Sequence, residues 1–241
     1  MEITQNYQEI QQRIQQACKR SNRKDSEIQI VAVTKSVSLE RTKEALHAGL
    51  IHLGENRPEG LLLKTEHIQS DAKWHYIGSL QTRKVKQVID TIDFLHSLDR
   101  LSLAEEIQKR ANKPIDCFVQ VNVAGEEAKH GIELDLLEDF ILSLQSFDKI
   151  RVIGLMTMAP NTEDEQVLRS VFSKLKSAQQ KIAESQYDFA PCTKLSMGIS
   201  NDFAFSENSI NSIFQSGQLN LFKGDSIIGL IYEWNLLSEI R

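Results

Sequence analysis

Prolines are scarce, four in 241 residues, and no Gly- or Ser-rich run interrupts the chain. Linkers are built from such stretches, so no domain boundary is marked and a single domain over 1–241 is expected. No apolar run approaches the roughly 20 residues that cross a bilayer, which excludes a membrane partner from the expectation. Met1 to Asn6 lack a basic stretch followed by an apolar core, so no secretion signal is read and a cytoplasmic protein is expected. There is no excess of positive charge. The net charge is −5, which gives no reason to expect nucleic acid. Cysteines number three, Cys18, Cys117 and Cys192, far apart and without metal-ligand spacing. They read as reduced structural thiols, and no metal site is expected.

What the chain does have is alternation. Residues 1–22 form an amphipathic helix, with Ile3, Tyr7, Ile10, Ile14 and Cys18 on one face. Apolar, β-branched runs then recur with helical segments between them. Strands are expected at 28–35, 50–54, 74–78, 94–97, 115–123, 151–156, 193–197 and 219–223. Ser38 is an expected N-cap for the second helix, and Gly49 its closing glycine. Eight strand–helix units with short connections predict an α/β fold, one parallel sheet closed as a (β/α)8 TIM barrel. The barrel spans 28–229, with an extra N-terminal helix before it and a C-terminal tail or helix over 230–241. The alternative is an open doubly wound sheet, but no Gly-rich nucleotide loop follows the first strand.

The run Ile28 to Lys35 organises the rest. A buried strand that ends on lysine is unusual, because desolvating an ammonium is unfavourable. Lys35 has either left the strand for water or is a nucleophilic amine able to form a Schiff base with an aldehyde. Barrel sites lie at the C-terminal strand ends. There the sequence places Lys35, Asn56, His75, Ser97, Asn122, Met156, Ser196, Gly198, Ser200 and Gly224. Gly198 allows close approach of backbone to a ligand, and Ser200 or Asn201 can cap the following helix. A helix N-terminus in that position would bind phosphate, although plain helix capping explains the same residues.

Several stretches together resemble one family. They are Val31-Ala32-Val33-Thr34-Lys35, Leu53-Gly54-Glu55-Asn56-Arg57, Trp74-His75-Tyr76-Ile77-Gly78-Ser79-Leu80-Gln81, His96-Ser97-Leu98-Asp99-Arg100, Gln120-Val121-Asn122, Lys129-His130-Gly131, Gly154-Leu155-Met156-Thr157-Met158 and 195–203. In this order they resemble the pyridoxal phosphate homeostasis family, whose fold is like the barrel domain of alanine racemase. The resemblance implies pyridoxal 5′-phosphate (PLP) held as a Schiff base on Lys35. It implies the phosphate near Ser200 and Gly224, and Asn56, His75, Ser97, Asn122 and Met156 around the ring or its mouth. It also implies a role in binding and delivering PLP. PLP-dependent apo-enzymes are the partners to which it would be delivered.

The chain departs from the family at the eighth strand. The family has arginine, an apolar residue, glycine and a hydroxyl residue; here the run is Phe222-Lys223-Gly224-Asp225. Phe222 cannot approach a pyridine nitrogen with charge or a hydrogen bond. Lys223 is one position late, which turns it to the other face of a strand. Backbone contact from Gly224 and Asp225 is therefore expected, with weakened affinity for PLP. The expected function is a PLP carrier without a robust reaction, because no proton partner and no second catalytic domain are read from this sequence. The alternative is a weak racemase- or transaminase-like enzyme acting on amino acids. The run Arg83-Lys84-Val85-Lys86 reads as a solvated helix face, or else as a patch that receives an apo-enzyme. A monomer is expected.

Overall fold

Eight parallel strands ring a common interior in this computed structural model, which describes residues 2–22, 24–35, 37–125, 130–160, 162, 164–199 and 226–232. Helix α1 (Glu2–Ser21) comes first and buries Ile3, Ile10, Ile14 and Cys18 in the main core. The alternation then runs β1 (Ile28–Val33), α2 (Leu39–His47), β2 (His52–Glu55), α3 (Pro58–His67), β3 (Lys73–Tyr76), α4 (Val85–Val88), β4 (Phe94–Leu98), α5 (Leu101–Arg110) and β5 (Ile115–Asn122). It continues with β6 (Ile132–Glu133), α6 (Leu137–Ser143), β7 (Ile150–Ala159), α7 (Glu165–Glu184), β8 (Lys194–Ile199) and β9 (Ser226–Tyr232).

Among the described residues every pairing between these strands is parallel. Strand β4 pairs with β5, and β9 pairs with both β8 and β1, so the sheet closes on itself. The two-residue β6 lies outside the ring, against the end of β5. The expected barrel class and its parallel order are therefore observed. Local signals act as read. The Ser38 hydroxyl caps α2 by accepting from the Arg41 N–H at 3.3 Å. Beyond α2 the Gly49 N–H reaches Leu46 O at 2.9 Å and the Leu50 N–H reaches Ala45 O at 3.0 Å, the paired closure of a Schellman motif.

One boundary is corrected. Residues 226–232 were expected to finish the barrel at 229 and pass into a tail or helix, yet they form β9. Ile227, Ile228, Leu230, Ile231 and Tyr232 are β-formers, and both flanking strands, β1 and β8, supply the hydrogen bonds that hold the run extended. The expected strand at 219–223 and the helix before it lie outside the described residues. All three cysteines are buried and free, in keeping with structural thiols.

Candidate functional site

Strand alternation decides which side chains share the barrel interior. Val31, Phe118, Ile153 and Met156 form one buried cluster, with Phe94 and Met158 packed against it. A β-carbon placed on Gly54 would meet Val31 Cγ1 at 3.2 Å and Val33 Cγ2 at 3.6 Å, so these three positions share a face. The chain runs on past Val33 to Lys35, half-buried two residues beyond the end of β1. From Gly54 it passes to Asn56, and from Phe118 through Gln120 to Asn122. Lys35 and Asn56, just past the ends of β1 and β2, and Asn122, the last residue of β5, thus lie at the C-terminal end of the ring. Gly198 does so on β8, two residues after Ser196.

Two glycines hold this rim in place. A β-carbon on Gly78 would lie 2.5 Å from Asn56 O and 2.7 Å from Asn56 Cβ, so only glycine lets the loop after β3 close on Asn56. Gly131 has φ +128°, and its β-carbon would lie 2.7 Å from Asn122 N. It brings the chain back so that Ile132 and Glu133 pair with Val121 and Asn122. The Arg100 guanidinium donates to Leu80 O at 2.6 Å and ties the loops after β3 and β4 together.

Ser97 is the orphan of the group. Its hydroxyl is buried and has no hydrogen-bond partner among the described residues. It lies where the pairing of β4 with β5 shifts register between Leu95 and Leu98. Such irregularities re-aim side chains near sites. A buried hydroxyl without a partner is unfavourable by about 1–3 kcal/mol, which a bound polar ligand would relieve.

Below the rim lies a second polar feature that sequence reasoning missed. His52 Nδ1 is 2.8 Å from His75 Nε2, and His75 Nδ1 is 2.8 Å from His96 Nε2. His96 Nδ1 is in turn 2.8 Å from Ser196 Oγ. A neutral imidazole donates from one nitrogen and accepts at the other, so the chain is satisfied without any charge. His75 stacks on Phe94 at 4.4 Å and His96 on Phe118 at 4.5 Å. Burial pushes His96 down to about 3. Burial also holds His75 well below the usual range, helped by His96, His52 and Lys194. His52 is lowered by burial too, against the pull of Asp93.

His75, expected around the ring or its mouth, is 0 % exposed with both ring nitrogens engaged and lies in the barrel interior. Ser196 ends the same chain and is equally buried. Met156 is a member of the interior apolar cluster. The spacing of three histidines on consecutive strands, each on an interior register, was the available signal.

A third feature, also unread in the sequence, stands behind Lys35. Lys64 on α3 is 4 % exposed and donates to Thr34 O and, at 2.6 Å, to Glu55 Oε1. The Thr34 hydroxyl donates to the same Glu55 oxygen at 2.6 Å. Pro58, Leu61 and Lys64 are the buried positions of α3, three residues apart, so the helical spacing already placed Lys64 on the inner face.

Ser200, Asn201, Gly224 and Asp225, expected at the phosphate, lie outside the described residues, as does Phe222. A cavity of about 280 Å³ between α1 and the start of β1, lined by Tyr7, Gln11, Asp25 and Gln29 among others, is at the opposite end of β1 from Lys35.

The family model for the alanine racemase N-terminal domain matches residues 4–213. The pyridoxal phosphate homeostasis protein of Aquifex aeolicus is 37% identical over 214 residues, 87% of this chain and 93% of that protein. A crystal structure of an unknown protein from Bifidobacterium adolescentis superposes with TM-score 0.82 at 26% identity, over 98% of this chain and 94% of the other. The structure of PipY from Synechococcus elongatus with PLP bound superposes with TM-score 0.73 at 22% identity, over 94% of this chain and 100% of the other. The last likeness is one of fold.

Proposed function

The chain belongs to the alanine racemase N-terminal domain family and, within it, to the pyridoxal phosphate homeostasis proteins, and from that premise we propose that it binds PLP covalently through Lys35 and buffers or delivers it. The observation that carries this reading is the place of Lys35. It stands just past the end of β1, at the strand end where parallel barrels keep their sites. PLP brings an aldehyde, which condenses with a primary amine and loses water.

The residues around Lys35 fit such a ligand. Asn56 and Asn122 are amide side chains at fixed places on the rim. Ser97 has a hydroxyl to offer. Met158, half-buried beside the interior cluster, supplies an apolar wall. Gly198 leads from β8 toward Ser200 and Asn201, which with Gly224 and Asp225 are the proposed phosphate contacts on the strength of the family resemblance.

A carrier is favoured over an enzyme by the state of the histidines. Acid–base work on a bound amino acid needs a group that can reach the substrate and change its protonation near neutral pH. His75 has both nitrogens engaged, and His96 is sealed and held neutral. Among the described residues no helix is long and apolar enough to cross a membrane. We read the protein as a cytoplasmic monomer that hands PLP to apo-enzymes.

The test is mass spectrometry after incubation with PLP and reduction with borohydride. The expected result is one added pyridoxyl phosphate group, mapped to the peptide that contains Lys35. An adduct that maps elsewhere, or none, overturns the reading. Exchange of amino-acid α-protons that is lost in Lys35→Ala would replace the carrier by an enzyme.

A further inference from the structure

We propose that Glu55 and Lys64 are positioning residues for Lys35, acting through the peptide unit that joins Thr34 to Lys35. The inference rests on the reading of Lys35 given above. Its starting point is an ion pair in the wrong place for stability alone. Lys64 Nζ and Glu55 Oε1 are 2.6 Å apart, with side chains 5% and 1% exposed. Taking two charges out of water offsets most of their attraction, so a buried pair is weak evidence for stabilisation. Apolar residues would fill the same space with less penalty.

What the pair does have is a target. The Thr34 carbonyl oxygen accepts from the Lys64 ammonium and also from the Val37 N–H at 3.0 Å. The Thr34 N–H donates to Gly54 O at 2.9 Å. Its hydroxyl donates to Glu55 at 2.6 Å and reaches Gly54 O at 3.3 Å. Thr34 is 0 % exposed. Both polar backbone atoms and the side chain of one residue are thus tied to β2, α3 and the following turn. The carbonyl belongs to the same planar unit as the Lys35 N–H. Holding that plane fixes the direction in which the Lys35 Cα leaves the strand.

Lysine needs such help because its stem has four rotatable carbons. A site on a strand end is as well placed as the shell behind it. Glu55 serves twice, since it receives both the Thr34 hydroxyl and the Lys64 ammonium on one oxygen. Lys64, turned inward and held, is also withdrawn from competition for the aldehyde.

The experiment compares the wild type with the double variant Glu55→Leu/Lys64→Met, which removes both charges and keeps apolar bulk. Three readouts are taken: thermal unfolding, PLP titration by visible absorbance, and the borohydride-fixed site. The expected result is a folded protein whose PLP affinity falls about 10- to 100-fold, the scale of misaligning a reacting group, with adducts spread to other lysines. A folded double variant with unchanged affinity and an adduct confined to Lys35 overturns the inference. Should the double variant fail to fold, Thr34→Val is used, which cuts the hydroxyl link and leaves the ion pair. Weaker affinity with an unchanged melting temperature then supports the inference, and unchanged affinity overturns it. A wild-type protein without an adduct on Lys35 instead overturns the reading of the site itself.

Discussion

The histidine chain and the lysine rim occupy one barrel, a short step apart along the same strands, and they are built on opposite terms. The chain from His52 through His75 and His96 to Ser196 satisfies itself, donor to acceptor, and needs no charge. The rim keeps charge and leaves capacity over. Lys64 and Glu55 are paired behind Thr34, and the Ser97 hydroxyl has no partner among the described residues. The difference teaches where a ligand belongs. A self-satisfied interior has little to gain from a polar ligand, whereas an unfilled hydroxyl does. The neutral chain is the floor beneath the rim.

The comparison would break most completely at Lys35. Lys35→Ala is expected to abolish the borohydride-fixed adduct and the visible absorbance of bound PLP, while the melting temperature stays close to that of the wild type. An equal adduct yield in the variant would mean that the rim is not the site.

Next in size is the single variant Lys64→Met. It strands the Glu55 carboxylate in the interior, and urea denaturation is expected to show a loss of about 3–5 kcal/mol. The double variant with Glu55→Leu should recover most of that loss. Equal losses in the two would show that the charge of Glu55 is not the cause.

The floor is sharpened by pH. His75 and His96 are held neutral in the folded protein, His96 with a pKa of about 3. In the unfolded chain they bind protons below about 6.5. The unfolded state therefore takes up protons that the folded state refuses, and stability is lost as pH falls from about 6.5 toward 3. The slope is about 1.4 kcal/mol per pH unit for each such histidine. Urea midpoints between pH 7 and 5 measure it, and His96→Phe should flatten the dependence. A steeper slope in that variant would contradict a neutral chain.

Smaller effects remain at the edges of the comparison. Phe222→Arg restores the family's residue and is expected to tighten PLP binding several-fold in a titration. The thiols should stay silent to a thiol reagent in the native state, because Cys117 and Cys192 are raised by burial, Cys192 to about 12, and Cys18 is buried too.

Much of the fold could be read along the chain because its information is local. The β-branched run before Lys35, the Ser38 cap and the Gly49 closure each act within a few residues. The segment Ser226–Tyr232 could not be read so, since a short apolar run suits a strand or a buried helix equally until its neighbours are known. The candidate site divides in the same way. Lys35, Asn56 and Asn122 follow from strand ends, whereas the pairing of His75 with His52 and His96 does not.

Residue order alone therefore determined that strands and helices alternate, where most of them begin, and that a lysine stands at the end of β1. Only the closed ring decided that three imidazoles join through its interior and that a lysine from α3 grips the peptide before Lys35. The reason is distance along the chain. Thr34 and Lys64 are 30 positions apart and His96 and Ser196 are 100 apart, so their contacts exist only after register and closure have been set.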